Sequence, residues 1–152
     1  MRVLVQRVLE SSVSVHNERK GQIQKGLTLL VGFTEGDSEK ELDEMVRKII
    51  HLRIFDDENG VMNLSLTDIK GEILSISQFT LYGDASKGRR PSYVKALRGE
   101  EAIVLYDAFN EKLRQEGFVV ETGVFGADMQ VSILNDGPVT IWLESRRSHE
   151  SE

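Results

Sequence analysis

The run Ser77-Gln78-Phe79-Thr80 brings two kinds of chemistry to one place. Its hydroxyls could attack a carbonyl, and its main-chain N–H groups could hold an oxyanion. A Thr80 nucleophile would need a base beside it, and the run supplies neither histidine nor lysine. Asp84 follows closely, but an unperturbed carboxylate is a weak base toward an alcohol. A threonine in an apolar strand is ordinarily a packing or hydrogen-bonding residue. Main-chain donors need no ionisation, and one oxyanion donor typically contributes about 3–4 kcal/mol to a transition state. Dipoles at the strand end are therefore the more economical catalyst. Thr80 is then expected to position rather than attack.

A second segment, Asn135-Asp136-Gly137-Pro138-Val139-Thr140, sets a Gly-Pro peptide between two apolar stretches. Asp136-Gly137 reads as a tight hairpin turn, yet Pro138 removes an N–H and restricts Gly137. Gly-Pro is common at turns and says little alone. A turn of this kind does, however, leave carbonyl oxygens exposed. Arg7 sits on a strand face otherwise made by Val3, Val5 and Leu9. Most arginines so placed reach solvent along an apolar stem. The alternative is a buried fork that orients main-chain carbonyls or the Gly-Pro loop. Met129 reads as a core residue, with a pocket wall as the alternative.

Charge adds a third feature. The formal net charge is −6, which argues against indiscriminate nucleic-acid binding. Yet Lys87, Arg89, Arg90, Lys95 and Arg98 follow the first motif with no acid between them. A charge run is usually a solvated face. Its position here raises an alternative, a patch that grips one end of an RNA.

The elements that must position these residues are mostly short strands. Residues 2–9 alternate as a strand, Val13 and Val15 begin another, and 21–24 return as its partner. Residues 26–33 form a buried strand, and further strands are expected over 72–81, 118–124, 129–134 and 139–143. Ser38 with Glu41 opens a helix whose Leu42, Met45, Val46, Ile49 and Ile50 share one face. A second helix runs from about Glu100 to Glu116, with Gly117 as its stop. Both apolar stripes are core. Strands and helices without a regular βαβ alternation indicate an α+β fold. The 152 residues suit one domain, 1–145, with a polar tail over 146–152.

Absences narrow the chemistry. No cysteine is present, so disulfides and thiolate chemistry are excluded. His16, His51 and His149 form no ligand-spaced pair, giving no support for a metal. No apolar run approaches the roughly eighteen residues needed to span a bilayer, and no leader pattern precedes the first strand. A cytoplasmic address is expected.

Together the two motifs, with Met1-Arg2-Val3, Gln6-Arg7-Val8 and Gly126-Ala127-Asp128-Met129, resemble the D-aminoacyl-tRNA deacylases over essentially the whole chain. The resemblance implies a barrel-like antiparallel sheet flanked by helices. It also implies hydrolysis of D-aminoacyl esters at the acceptor end of tRNA without cofactor or metal, assisted by the 2′-hydroxyl of the terminal adenosine. A cis Gly137–Pro138 bond would turn its carbonyls into the amino-acid pocket and reject L side chains by clash. Glycine has nothing to clash, so glycyl-tRNA should also be cleaved. The family resemblance implies a homodimer, each Gly-Pro loop completing the partner's site. Two other readings stay open: a noncatalytic RNA-end-binding protein, and a Thr- or Ser-dependent esterase. The second is disfavoured because neither GxSxG nor a Ser/Lys motif occurs.

Overall fold

A computed structural model describes residues 1–145, and the expected polar tail over 146–152 lies outside them. In chain order the elements are β1 (Arg2–Val15), β2 (Glu18–Ile23), β3 (Gly26–Gly32), α1 (Glu39–His51), β4 (Phe55–Asp56), β5 (Met62–Leu64), α2 (Leu66–Ile69), β6 (Glu72–Ser77), a 3-10 turn (Phe79–Tyr82), α3 (Gly99–Gln115), β7 (Val120–Thr122) and β8 (Gln130–Glu144). The main sheet runs β2-β1-β3-β6-β7, and β8 pairs with β1. At the far end β7 lies against β2, where the Gly21 Cα region approaches the Thr122 carbonyl, so the sheet is nearly closed.

The sheet is mixed, which corrects the expected antiparallel one. β3 pairs with β6 in parallel, and β6 with β7 likewise. Parallel neighbours need a long crossover, commonly carrying a helix. Residues 33–71 supply α1 and residues 78–119 supply α3 for those two crossovers. A βαβ logic is therefore present but diluted by loops, and no simple alternation shows it. Gly26 is required where β3 and β6 meet, because a Cβ there would lie 1.9 Å from the Glu72 carbonyl oxygen.

Two apolar layers follow. One face of the sheet (Val3, Val5, Leu27, Leu29, Val31, Ile73) packs on the α1 stripe and on Ala102, Tyr106, Phe109 and Leu113 of α3. The other face closes on itself around Val8, Val13, Ile23, Leu74 and Ile76, with Met129, Val131 and Ile133 against them. Each such side chain contributes about 1.5–3 kcal/mol by leaving water.

Three strand expectations change. β1 is one strand of 14 residues, and its register with β8 slips on both sides of Val8. The slip turns Val8 inward (0% exposed) and Leu9 outward (48%), so the simple alternation breaks there. Residues 118–124 keep only Val120–Thr122 as strand. The segments 129–134 and 139–143 are not two arms of a hairpin but one strand, β8, both halves of which pair with β1.

The two expected helices match the pattern, while the short α2 carries no expectation. At the start of α1 the Glu41 carboxylate takes both the N–H and the Oγ–H of Ser38, each at 2.7 Å. Burial pushes this carboxyl up, but those two donors outweigh it and hold it below its ordinary 4.5. A group depressed in the folded state stabilises above its unfolded value and loses that contribution as pH falls through the folded one. Ser38→Ala should therefore lower stability by about 1 kcal/mol near neutrality, by urea unfolding. The gap from wild type should narrow as the pH is taken down past 4.5.

Candidate active site

β6 ends where its ladder with β3 ends. The Gln78 N–H makes the last bond, to the Val31 carbonyl at 2.7 Å. The chain then winds into the 3-10 turn, with Leu81 N–H on the Gln78 carbonyl (3.3 Å) and Gly83 N–H on that of Thr80 (2.9 Å). The first donors of a helical turn have no acceptor inside it. Those are the N–H groups of Phe79 and Thr80, and no protein acceptor takes them among the described residues. Two expectations are corrected here. The strand expected over 72–81 ends at Ser77. The Gln78 amide is used in pairing and is not a free donor.

Thr80 has no base. Its Oγ1 accepts from the Gln78 amide Nε2, a group that cannot take a proton. Asp84 points into its own turn, where the Ser86 hydroxyl and N–H hold its carboxyl below the ordinary 3.8. It is a poorer base than an unperturbed aspartate.

Beside the strand end lies a cavity of about 620 Å³. Ser77, Gln78 and Phe79 wall one part, Phe125 to Met129 another, and Leu97, Gly99 and Ala102 a third. Thr80 is one residue outside it. Met129 both lines the cavity and packs on the inner apolar layer, so its two readings coexist. Among the described residues Asp128 is the only carboxylate on this wall, and it is exposed. A cavity of about 600 Å³ elsewhere, around Lys25, Lys70 and Glu116, contains none of the motif residues.

The basic segment reaches the same mouth. Asp84 and Ser92 exchange two main-chain bonds at 2.8 Å, and Leu97 N–H bonds Phe33 at 3.0 Å, folding the loop onto the body. Tyr93 meets Phe79 edge to face at 5.3 Å between centroids. Lys87, Arg89, Arg90, Lys95 and Arg98 are all exposed, and among the described residues none forms a salt bridge.

Arg7 does not reach solvent. It is 7% exposed, and its Nε donates to the Asp136 carbonyl at 3.2 Å while Nη1 donates to that of Ile54 at 2.8 Å. Carboxylates of Asp136 and Asp56 stand at 3.2 and 3.4 Å. Asn135 closes the other side of the bend, donating from Nδ2 to the carbonyls of Arg7 (2.9 Å) and Val139 (3.1 Å). Gly137 has φ +108°, which favours glycine, and its peptide with Pro138 is cis. Both residues are exposed.

The two motifs do not meet within one chain. Val8 is the register partner of both Asn135 and Gly26, whereas Ser77 is opposite Val31. Gly26 to Val31 is about 17 Å of strand. Sequence reasoning also missed Arg2, whose Nη1 donates to the Leu81 carbonyl at 2.8 Å and whose guanidinium lies 4.4 Å over the Tyr82 ring. It fixes the 3-10 turn to β1. No local spacing signals a contact across so many residues.

The sequence and the fold recur in known proteins. A family model described as D-Tyr-tRNA(Tyr) deacylase matches residues 4–144. The D-aminoacyl-tRNA deacylase of Brevibacillus brevis is 59% identical over 95% of this chain and 100% of its own. That of Bacillus pumilus is 54% identical over 96% and 99%. The solved structure of a c-Myc DNA Unwinding Element Binding Protein superposes with a TM-score of 0.92 at 44% identity, covering 97% of this chain and all of that one. A probable eukaryotic D-amino acid tRNA deacylase, 21% identical with a TM-score of 0.79, shares the fold over 93% of this chain and 97% of its own. The protein is a hydrolase acting on an ester bond. The chain belongs to the D-Tyr-tRNA(Tyr) deacylase family.

Arg7→Ala strands the groups that hold the bend and should destabilise the protein by about 3 kcal/mol in urea unfolding. Arg7→Lys should recover only part of this, since one ammonium cannot span the Asp136 and Ile54 carbonyls as the fork does.

Proposed function

We propose that this enzyme removes D-amino acids from tRNA by main-chain catalysis. The observation that carries the reading is the pair of unpaired amides, Phe79 and Thr80, at a strand end beside a cavity whose wall lacks a base-activated nucleophile. The acyl carbon would sit near Phe79, with the developing oxyanion on these two donors. Orientation and the terminal 2′-hydroxyl of the RNA complete the reaction, so the substrate carries much of its own catalysis. The basic loop next to the mouth would hold the acceptor end.

Selection of handedness falls to the Gly137 and Pro138 carbonyls, rigidly set by Arg7 and Asn135. Because they lie far from the cavity of their own chain, they would serve the cavity of a second copy, making a homodimer. The surface around the bend supports this. Leu134 and Leu9 are about half exposed, and Met62, the register partner of Asp56 beside Arg7, is 53% exposed. Among the described residues the β8 strand also pairs only with β1 and offers its other edge. A pocket that excludes rather than attracts would also cleave glycyl-tRNA.

One structural neighbour is named as a DNA-binding protein, and the exposed cations fit a noncatalytic reading too. Matched D-, L- and glycyl-tRNA esters, followed beside the uncatalysed rate, separate the two. Rapid loss of the D- and glycyl esters with the L-ester untouched is expected. No acceleration of any ester sinks the enzyme reading, and brisk L-ester turnover sinks the exclusion. Thr80→Ala should keep turnover within about tenfold, roughly 1.4 kcal/mol. Its complete loss, with fold and tRNA affinity intact, would make Thr80 a catalytic group.

A further inference from the structure

Between the C-terminal half of α1 and the end of β8 runs a groove of about 880 Å³, separate from the cavity above. Arg47, Lys48 and His51 are exposed along its α1 wall. Arg53 stands at its end, fixed by its Nε bond to the Asn63 carbonyl at 3.0 Å. Trp142 forms the opposite wall and is 48% exposed. Two carboxylates also face it, Glu44 and Glu144, of which Glu144 is held by Arg2 at 3.2 Å. A large aromatic face left half in water, with cations spaced across from it, is unusual on a chain of net charge −6. Apolar partners do not explain it, because among the described residues the groove offers only Leu52 and Leu143 besides the indole.

We propose that this groove is a second RNA-contact site that takes single-stranded ribonucleotides, a base stacking on Trp142 and phosphates lying along Arg47 and Lys48. Aromatic faces with a track of cations are what sequence-tolerant binding of single strands uses. The groove's position fits. Arg53 precedes Ile54, whose carbonyl Arg7 engages beside the Gly-Pro bend. This inference rests on the proposed function, in which one chain's bend completes the partner's cavity and Arg53 stands one residue from the Ile54 carbonyl beside that bend.

The chain has one tryptophan, so Trp142 emission reports the groove directly. Uncharged tRNA titrated into wild type should quench that emission saturably, and less at high salt. Arg47→Ala with Lys48→Ala should reduce the slope of log affinity against log salt by about 1.4, two phosphate contacts of a single strand. Trp142→Ala should raise KM for aminoacyl-tRNA about tenfold at unchanged kcat, and Trp142→Phe should restore most of it. Emission indifferent to saturating tRNA overturns the proposal. So does an emission change on dilution alone, which would mean that a second copy covers the groove. A fall in kcat at constant KM overturns it as well, since that would be a structural effect through Arg2, whose guanidinium lies 5.6 Å from the indole. Absence of deacylation by wild type while tRNA still quenches would remove the enzymatic reading and leave the groove standing.

Discussion

The parallel ladder between β3 and β6 stops at one bond, Gln78 N–H to the Val31 carbonyl, and everything at the site depends on where it stops. Were the ladder to run further, the next amides would be consumed by sheet pairing. Instead the chain tightens into a 3-10 turn, which by its own geometry leaves its first N–H groups without acceptors. Arg2 holds that turn from beneath through the Leu81 carbonyl and the Tyr82 ring. Tyr106 steadies the strand just before it, donating its hydroxyl to the Ser75 carbonyl at 2.7 Å. A rigid scaffold around unpaired main-chain donors is what electrostatic stabilisation of a developing charge requires.

The second constraint lies about 17 Å of strand away. Arg7 is buried with its fork spent on two carbonyls, so it acts as structure for the Gly-Pro bend rather than as a ligand. The bend itself faces outward. A feature so firmly supported and yet exposed makes sense if its working surface is supplied by another copy. The separation of the two motifs in one chain thus gives the proposed dimer a chemical purpose, since neither end would suffice alone.

Helices are the most legible part of the sequence, because Ser38 with Glu41 and the two apolar stripes are local signals. The family is legible from motifs spread along the chain. Less visible is the parallel pairing, since crossovers of some forty residues hide a βαβ relation from any periodicity. The Asn135–Pro138 bend reads as a hairpin because turn residues carry the same signature whether or not the chain reverses. Here β1 runs past both halves of β8, and only that long-range pairing keeps them in one strand. For Arg7 the sequence offers the buried fork only as the alternative to a solvent-reaching side chain, for a related cause. Its partners, Ile54 and Asp136, are brought together by tertiary structure and leave no trace in its neighbours.

If peptide dipoles rather than ionisable side chains lower the barrier, the enzyme should add no titration of its own. The most direct measurement is the single-turnover rate on D-aminoacyl-tRNA, divided by the uncatalysed rate of the same ester at each pH from about 6 to 8. A ratio that stays level across that range is the result expected here. A bell or a step, reporting an acid or base on the protein, would contradict it.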